Sequence, residues 1–293
     1  MMFFDNFPAV SAFIHELYAF FASIIAKFFI SYYYIFIPIR CQAYSGERTG
    51  TPMFENTKIV AFDLDGTLTQ HKSKLGDKNK SVLDRLSKKY KLIMVGAGTC
   101  PRIWNQMNCY PIDVIGSYGL QYASYNAETK QQDLQWDEKV PVDREEIMRR
   151  AMLLRDKYDL HDYAGEPMEF HPTGALTFPV LGTKAQIEDK LAYDPDRAKR
   201  RVMYPFVKEL FHDYNVMIGG SSSFDMVPGV YGKLNALRRY LKLNGLSDEN
   251  VVYCGDDYHE GGNDHDVYAG GIPFIKVDDF EKLEDILTKA GLL

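Results

Sequence analysis

The segment KIVAFDLDGTLT, residues 58–69, contains the pattern that decides the fold. Residues 58–62 form an apolar run, which is typical of a strand buried in a parallel sheet. The run ends at Asp63, and α/β proteins place their active sites just beyond the carboxyl ends of such strands. We therefore expect an α/β protein whose chemistry lies at the end of this first strand.

Strand-like and helix-like segments alternate on both sides of the chain's middle. The predicted strands are 92–98, 113–116, 251–254 (the start of a strand and loop over 250–257) and 273–277, and the predicted helices are 78–90, the stretch ending near 109, 233–243 and 281–292. Such alternation predicts βαβ units and a parallel sheet. We expect a Rossmann-like core built from two separated parts of the chain.

The middle of the chain has a different pattern. A hairpin is predicted within 167–182, with its turn at Pro172-Thr173-Gly174, and a strand pair within 215–228. Helices are predicted over 143–157 and 201–213. We therefore expect an α/β cap inserted into the core. The predicted division is 53–125 and 230–293 for the core and 126–229 for the cap.

Composition excludes several classes of protein. The 293 residues are 46% hydrophobic and 25% charged, as expected of a globular chain rather than a disordered one. The net charge of −6 argues against a protein that mainly neutralises nucleic-acid phosphates. The four cysteines show no CxxC spacing, which favours a reduced compartment, a cytoplasmic location and no cysteine metal site.

The first 52 residues form a hydrophobic extension. Residues 17–39 carry one charge, Lys27, and are long enough to span a bilayer. The extension lacks the basic start of a secretory signal. Two interpretations stay open: a membrane anchor with a cytoplasmic catalytic domain, or a start codon assigned upstream of the true one at Met53.

The motif Asp63-Leu64-Asp65-Gly66-Thr67 follows the first strand directly. An acid at a strand end can attack phosphorus and carry an aspartyl-phosphate. A second acid two residues later can protonate the leaving oxygen and then activate the acceptor. Gly66 permits a tight turn beside a phosphate, and Thr67 supplies a hydroxyl. The alternative is a simple Asp-Gly turn after a strand.

Three further segments carry candidate site residues. Asp256 and Asp264 lie in the glycine-rich loop after 251–254, and clustered carboxylates at a strand end suit Mg²⁺. Lys233 begins a predicted helix and can neutralise both nucleophile and phosphate. Gly96 and Thr99 follow the second strand, where backbone N–H groups or a hydroxyl can hold phosphate. Taken alone, a lysine such as Lys233 or a glycine-rich strand end such as Gly96–Thr99 more often has a structural role than a functional one.

Together these motifs resemble the haloacid dehalogenase superfamily, cap subclass IIB. The stretches 218–233 and 254–268 are similar to eukaryotic-type phosphomannomutases. The resemblance implies Asp63 as nucleophile, Asp65 as general acid/base, and Mg²⁺ held by Asp63, the Asp65 carbonyl and Asp256. It further implies that Asp264 lies behind these ligands or reaches the metal through water. It implies two cap residues that bind sugar phosphate, Ser223 and Asp225.

The cap departs from that family where phosphate-clamping arginines are expected. His171, Thr183 and Lys190 occupy the three cap positions, and Lys72 replaces a further arginine of the core. Lysine binds phosphate without the geometry of a guanidinium fork. The basic run 194–201 is a candidate substitute, although a solvated helix start is the more ordinary interpretation of it.

The weakened clamp makes a Mg²⁺-dependent phosphatase of sugar phosphates the leading functional prediction. A hexose phosphomutase that interconverts 1- and 6-phosphates is the alternative. A membrane-anchored binding protein with an inactive catalytic core ranks below both. The expected partner is a small phosphorylated metabolite and not nucleic acid. The sequence does not fix the oligomeric state, but the family resemblance implies a homodimer through the cap. Membrane association is expected only if 17–39 is a genuine span.

Overall fold

The computed structural model describes residues 54–293. The hydrophobic extension, and with it the predicted span at 17–39, lies outside the described residues. No helix within 54–293 is long and apolar enough to cross a membrane.

The larger of two sheets has seven strands in the order β11-β10-β1-β2-β3-β4-β5. These strands are β1 (Ile59–Phe62), β2 (Lys91–Val95), β3 (Asp113–Gly116), β4 (Gln121–Asn126), β5 (Gln131–Asp137), β10 (Val251–Gly255) and β11 (Phe274–Lys276). The pairs β11–β10, β10–β1, β1–β2 and β2–β3 are parallel, whereas the pairs β3–β4 and β4–β5 are antiparallel. The predicted parallel sheet is therefore confirmed.

Alternate residues of β1 point to opposite helical layers, as the pleat of a strand requires. Val60 and Phe62 pack against α1 (Asp77–Leu86), α2 (Cys100–Gln106) and α8 (Leu283–Lys289). Ile59 and Ala61 pack against α6 (Lys233–Leu243) and α7 (His265–Ala269). Because both faces are covered, all four residues of β1 are buried, which explains its unbroken apolar run.

The smaller sheet forms the cap and is antiparallel, in the order β6-β7-β9-β8. Its strands are β6 (Glu169–Phe170), β7 (Leu176–Pro179), β8 (Tyr214–Met217) and β9 (Ser223–Pro228). The helices of this segment are α3 (Arg144–Tyr158), α4 (Ile187–Tyr193) and α5 (Ala198–Leu210). The hairpin predicted around Pro172-Thr173-Gly174 is β6–β7, and the strand pair predicted within 215–228 is β8–β9.

The two faces of β9 differ in their surroundings. Phe224 and Met226 lie in the apolar cluster formed with α3 and α5. Asp225 lies between them in sequence and therefore points to the other face of the cap sheet. Thr177 of β7 is paired with Asp225 and shares that face. A polar pair is thus placed on the side of the cap away from its own core.

The core sheet extends beyond the boundary expected at residue 125. The hairpin β4–β5 continues the sheet to Asp137, so residues 126–137 are part of the core sheet rather than of the cap. All seven residues of β5 are exposed or only partly buried, because this strand lies at the sheet edge. The strand has no apolar run, which is why the sequence pattern did not predict it.

Candidate active site

Asp63 lies at the carboxyl end of β1, between the neighbouring strands β10 and β2. Its N–H donates to the carbonyl of Cys254 at 2.9 Å, so the hydrogen bonds between β1 and β10 continue to this residue. The residue is 4% exposed. Parallel pairing also brings the loop after β10 to the same sheet edge, so that Asp256 and Asp264 lie beside Asp63.

Lys233 is the first residue of α6 and is 1% exposed. Its Nζ lies 2.6 Å from Asp63 Oδ1, 2.7 Å from Asp264 Oδ1 and 2.7 Å from Asn263 Oδ1. Burial alone would lower the pKa of Lys233, but the charges of Asp264 and Asp63 raise it above its usual range. The lysine is therefore a permanent cation that joins the predicted nucleophile to the loop after β10.

Asp264 is held firmly in place. Besides Lys233, its Oδ1 accepts from the Tyr253 hydroxyl at 2.7 Å, and its Oδ2 accepts from the N–H of Asp257 at 3.1 Å. Asp256, by contrast, accepts from Thr67 Oγ1 at 2.9 Å through Oδ1. Both carboxylate oxygens of Asp264 thus accept hydrogen bonds from the protein, whereas Asp256 and Asp63 retain oxygens that can bind a ligand.

Asp63, Asp256 and Asp264 each offer a carboxylate oxygen within 4.8 Å of the others. Burial, opposed by Lys233 and assisted by Asp264 and Asp256, raises the pKa of Asp63 well above its ordinary value. Burial and the charge of Asp264 raise the pKa of Asp256 to about 6. One lysine does not balance three carboxylates, so this donor set fits a hard divalent cation such as Mg²⁺.

Gly66 is the residue that leaves room beside this cluster. A Cβ at position 66 would lie 2.4 Å from Oδ2 of Asp256, and its φ of +97° belongs to the left-handed region that favours glycine. The tight turn predicted for Gly66 is thus present, and it faces the acid expected to bind the metal.

The acid cluster predicts a pH-dependent stability when metal is removed by a chelator. The pKa of Asp256 is about 6 in the folded protein, against an ordinary value of 3.8. Between these values the folded state holds a proton that the unfolded state has lost, so stability falls as pH rises. Thermal unfolding in chelator should therefore show a falling midpoint over this window. In Asp256→Asn the fall should be smaller, and an equal fall in both proteins would contradict the assignment.

Asp65, the predicted general acid/base, is partly exposed and lies outside the metal cluster. Its Oδ1 accepts from the backbone N–H of Lys72 and from Gln106 Nε2, each at 2.7 Å. Its Oδ2 lies 4.0 Å from Nη1 of Arg102. Lys72 therefore contributes its backbone to the site, whereas its exposed ammonium makes no hydrogen bond among the described residues. Gln106 and Arg102 were not predicted from the sequence.

A cleft of about 490 Å³ lies between the core and the cap sheet. Asp225 lines it and accepts from the hydroxyls of Tyr118 and Thr177, both at 3.1 Å. His171 Nε2 lies 3.0 Å from Thr177 Oγ1. Burial raises the pKa of Asp225 above its ordinary value, although its two hydroxyl donors oppose the shift. The cleft thus offers a hydrogen-bonding wall suited to a hydroxyl-rich ligand.

Of the remaining predicted phosphate-binding residues Thr99, Gly96 and Ser223, only Thr99 lines the cleft. The Thr99 hydroxyl, however, accepts from the N–H of Arg102 and caps α2. Gly96 packs against Ile103 of the same helix. Ser223 donates to the carbonyl of Gly219 at 3.0 Å and is not among the residues that line the cleft.

The cap cations are engaged with the protein itself. Lys190 Nζ donates to the carbonyl of Thr183 at 3.3 Å, and the Thr183 hydroxyl accepts from the N–H of Glu166. In the basic run 194–201, Arg200 is buried against Asp194. Arg197 lies 2.5 Å from Asp257 and so links the cap to the loop after β10. The structure does not bring Lys190, Arg200 or Thr183 into the cleft.

This core, with a cap inserted between β5 and α6, is shared with haloacid dehalogenase phosphotransferases. A haloacid dehalogenase-like hydrolase from B. subtilis matches with a TM-score of 0.54 and 14% identity, over 81% of this chain and 100% of that chain. A subclass IIB sugar phosphatase matches with a TM-score of 0.53 and 14% identity, over the same shares. The Plasmodium falciparum IMP-nucleotidase matches with a TM-score of 0.57 and 16% identity, over 82% and 70%. These likenesses establish the fold class, as predicted.

The sequence comparisons are more specific. The family described as eukaryotic phosphomannomutase matches residues 80–274, more than half of the chain. The chain therefore belongs to the eukaryotic phosphomannomutase family, which confirms the resemblance seen in its motifs. The phosphomannomutase of Encephalitozoon cuniculi is 27% identical over 249 residues, covering 80% of this chain and 95% of that relative. That of Schizosaccharomyces pombe is 24% identical over 226 residues, covering 72% and 85%.

Proposed function

We propose that this protein is a Mg²⁺-dependent hexose phosphomutase that moves a phosphoryl group between the 1- and 6-positions of mannose phosphates. The observation that carries the proposal is the buried contact of Lys233 with Asp63 and Asp264, in a chain of the phosphomannomutase family. This reverses the order of the two functions predicted from the sequence, where hydrolysis came first.

Asp63 is suited to the role of nucleophile. Lys233 holds its Oδ1, so the other carboxylate oxygen can form a bond to phosphorus while the bond between phosphorus and the sugar oxygen breaks. The product of this step is an aspartyl-phosphate and a free sugar hydroxyl. The burial of Asp63 limits access of water to that intermediate.

Asp65 is suited to proton transfer. Gln106 and the Lys72 N–H hold Oδ1, leaving Oδ2, which accepts no hydrogen bond among residues 54–293 and lies 4.0 Å from Nη1 of Arg102. At Oδ2 the carboxyl can give its proton to the departing sugar oxygen. When the other hydroxyl of the bound sugar attacks the aspartyl-phosphate, the Asp65 carboxylate takes that hydroxyl's proton.

Mg²⁺ bound by Asp63 and Asp256, and by the Asp65 carbonyl as the family resemblance implies, would neutralise charge that develops on the transferring phosphoryl group. Thr67 fixes one oxygen of Asp256, and the hydrogen bonds of Asp264 keep Lys233 in place behind Asp63. In the cleft, Asp225 can accept hydrogen bonds from sugar hydroxyls.

A phosphatase is the second candidate. It is favoured by the cap contacts, because Lys190 and Thr183 bond to the cap's own backbone and not to the cleft. A mutase must hold a bisphosphate at both ends, whereas a phosphatase needs one phosphate site and access for water.

One assay separates the two functions. We expect the full-length protein with Mg²⁺ to convert mannose 1-phosphate to mannose 6-phosphate, with stimulation by a hexose 1,6-bisphosphate and little release of inorganic phosphate. Both products are measured in the same reaction, and chelation of Mg²⁺ provides the blank. Phosphate release without interconversion would contradict the mutase and support the phosphatase. Dimerisation through the cap and a cytoplasmic location stay predictions.

A further inference from the structure

Arg102 has features of a ligand-binding residue that the steps above leave unused. It lies in the first turn of α2 and lines the cleft between core and cap, with its side chain 46% exposed. Its guanidinium packs over Gly98, where a Cβ would come within 2.2 Å of both Nε and Nη2. The glycine after β2 is therefore what makes room for this arginine.

The guanidinium is only partly satisfied by the protein. Nη1 donates to Gln106 Oε1 at 3.2 Å, and the same nitrogen lies 4.0 Å from Asp65 Oδ2. Within residues 54–293, Nε and Nη2 make no hydrogen bond. Nε and Nη2 form one edge of the planar fork, which is the geometry that binds two oxygens of a phosphate.

The cleft around Arg102 is suited to an anion at this end. Its basic lining residues are Arg102, Lys139 and His171. Its two acids are already bonded, because Asp137 accepts from Gln121 and Asp225 accepts from Tyr118 and Thr177. An incoming phosphate would therefore meet a guanidinium edge that no carboxylate of the cleft occupies.

We infer that Arg102 binds the phosphate that is not being transferred, on a hexose bisphosphate bound in the cleft. This inference rests on the proposed function. Asp65 acts on the oxygen that leaves phosphorus, and Arg102 approaches Asp65 to 4.0 Å while it also lines the cleft, which neither Asp63 nor Asp65 lines. A group at Arg102 therefore belongs to the sugar side of the substrate. The cap has His171, Thr183 and Lys190 where phosphate-binding arginines are expected. Arg102 of the core would then supply the missing guanidinium group.

The test measures binding without turnover, in the full-length Asp63→Asn protein with Mg²⁺. Arg102→Met keeps most of the side-chain length and removes the fork, whereas Arg102→Lys keeps the charge. We expect Arg102→Met to weaken binding of a hexose 1,6-bisphosphate by about 10- to 100-fold and Arg102→Lys by less. Mannose 6-phosphate should bind within about 3-fold of the parent, because its single phosphate takes the site at Lys233.

Arg85→Met is the matched control. Its side chain is 45% exposed and pairs with Glu284 on the surface, so neither affinity should change. Unchanged bisphosphate binding in Arg102→Met would overturn the inference and leave the proposed function standing. Equal losses for both ligands would also overturn it, since Arg102 would then act on the transferred phosphate or on the fold. If the Asp63→Asn protein binds neither ligand, the proposed function fails together with the inference.

Discussion

Replacing Asp63 with Asn is expected to lower turnover by at least about 10⁴-fold, because the amide cannot form an acyl-phosphate and the covalent route is lost. The fold should be retained. Lys233 keeps its contacts with Asp264 and Asn263, and an amide oxygen at position 63 can still accept from its Nζ. The measurement is the initial rate of interconversion at saturating mannose 1-phosphate with Mg²⁺.

The same substitution should not destabilise the protein when metal is removed. Asp63 is one of three carboxylates served by one lysine, and its pKa is raised well above the ordinary value by burial and by its acidic neighbours. Removing its charge relieves that repulsion, so the unfolding midpoint in chelator should be unchanged or higher. Asp285→Asn, at an exposed position of α8, is the control for an ordinary surface charge. Turnover within 10-fold of the parent would show that Asp63 is not the nucleophile.

The parallel part of the core could be predicted from the sequence because a strand that is buried on both faces is an unbroken run of apolar residues. β1 and β10 are apolar throughout, and each is followed at once by polar residues. The rule that sites lie beyond the carboxyl ends of parallel strands then brings Asp63 and Asp256 together. The structure places their oxygens within 4.8 Å of each other, although 193 positions separate the residues in sequence.

Other parts of the site leave no comparable pattern. Gln106 is a polar residue in a seven-residue helix, and its partner Asp65 is 41 positions upstream. Only the packing of α2 against the first motif brings the two together. The same holds for Arg102, whose position over Gly98 depends on the path of the chain between β2 and α2.

In the basic run 194–201, burial decides whether a charged side chain is paired within the protein or free to bind a ligand. From sequence it could have been a phosphate clamp or a solvated helix start. Arg200 is instead 1% exposed, bonded to Asp194 and to the carbonyls of Gly219, Gly220 and Ser223. A buried charge has to be paired, so this arginine organises the loop that precedes β9. The pairing is set by tertiary contacts that local sequence patterns do not show.

Replacing Lys233 with Met is expected to impair activity and stability together. The side chain is fully buried, and its ammonium is the only cation within hydrogen-bond distance of Asp63 or Asp264 among residues 54–293. Breaking a buried ion pair by removing one partner costs about 3–5 kcal/mol, because the remaining charge is left unpaired. Turnover should fall by about 10²- to 10³-fold, since charge on the phosphoryl group loses a preorganised partner.

Urea unfolding in chelator and steady-state turnover in Mg²⁺ measure the two effects. Lys242→Met is the matched control, because Lys242 is an exposed lysine in the last turn of the same helix. It should change the free energy of unfolding by less than about 0.5 kcal/mol and leave turnover unaltered. Equal effects of the two substitutions would refute the assignment of Lys233 to the site.

A double-mutant cycle with Asp264→Asn separates the structural role of Lys233 from its catalytic one. Once Asp264 is neutral, removing the lysine leaves one fewer unpaired carboxylate. The destabilisation caused by Lys233→Met should then be smaller by about 1–3 kcal/mol, a coupling typical of groups in direct contact. Additive destabilisation would mean that the 2.7 Å contact carries no energy. Turnover should not recover with stability, because Asp63 still lacks its cation in the double variant.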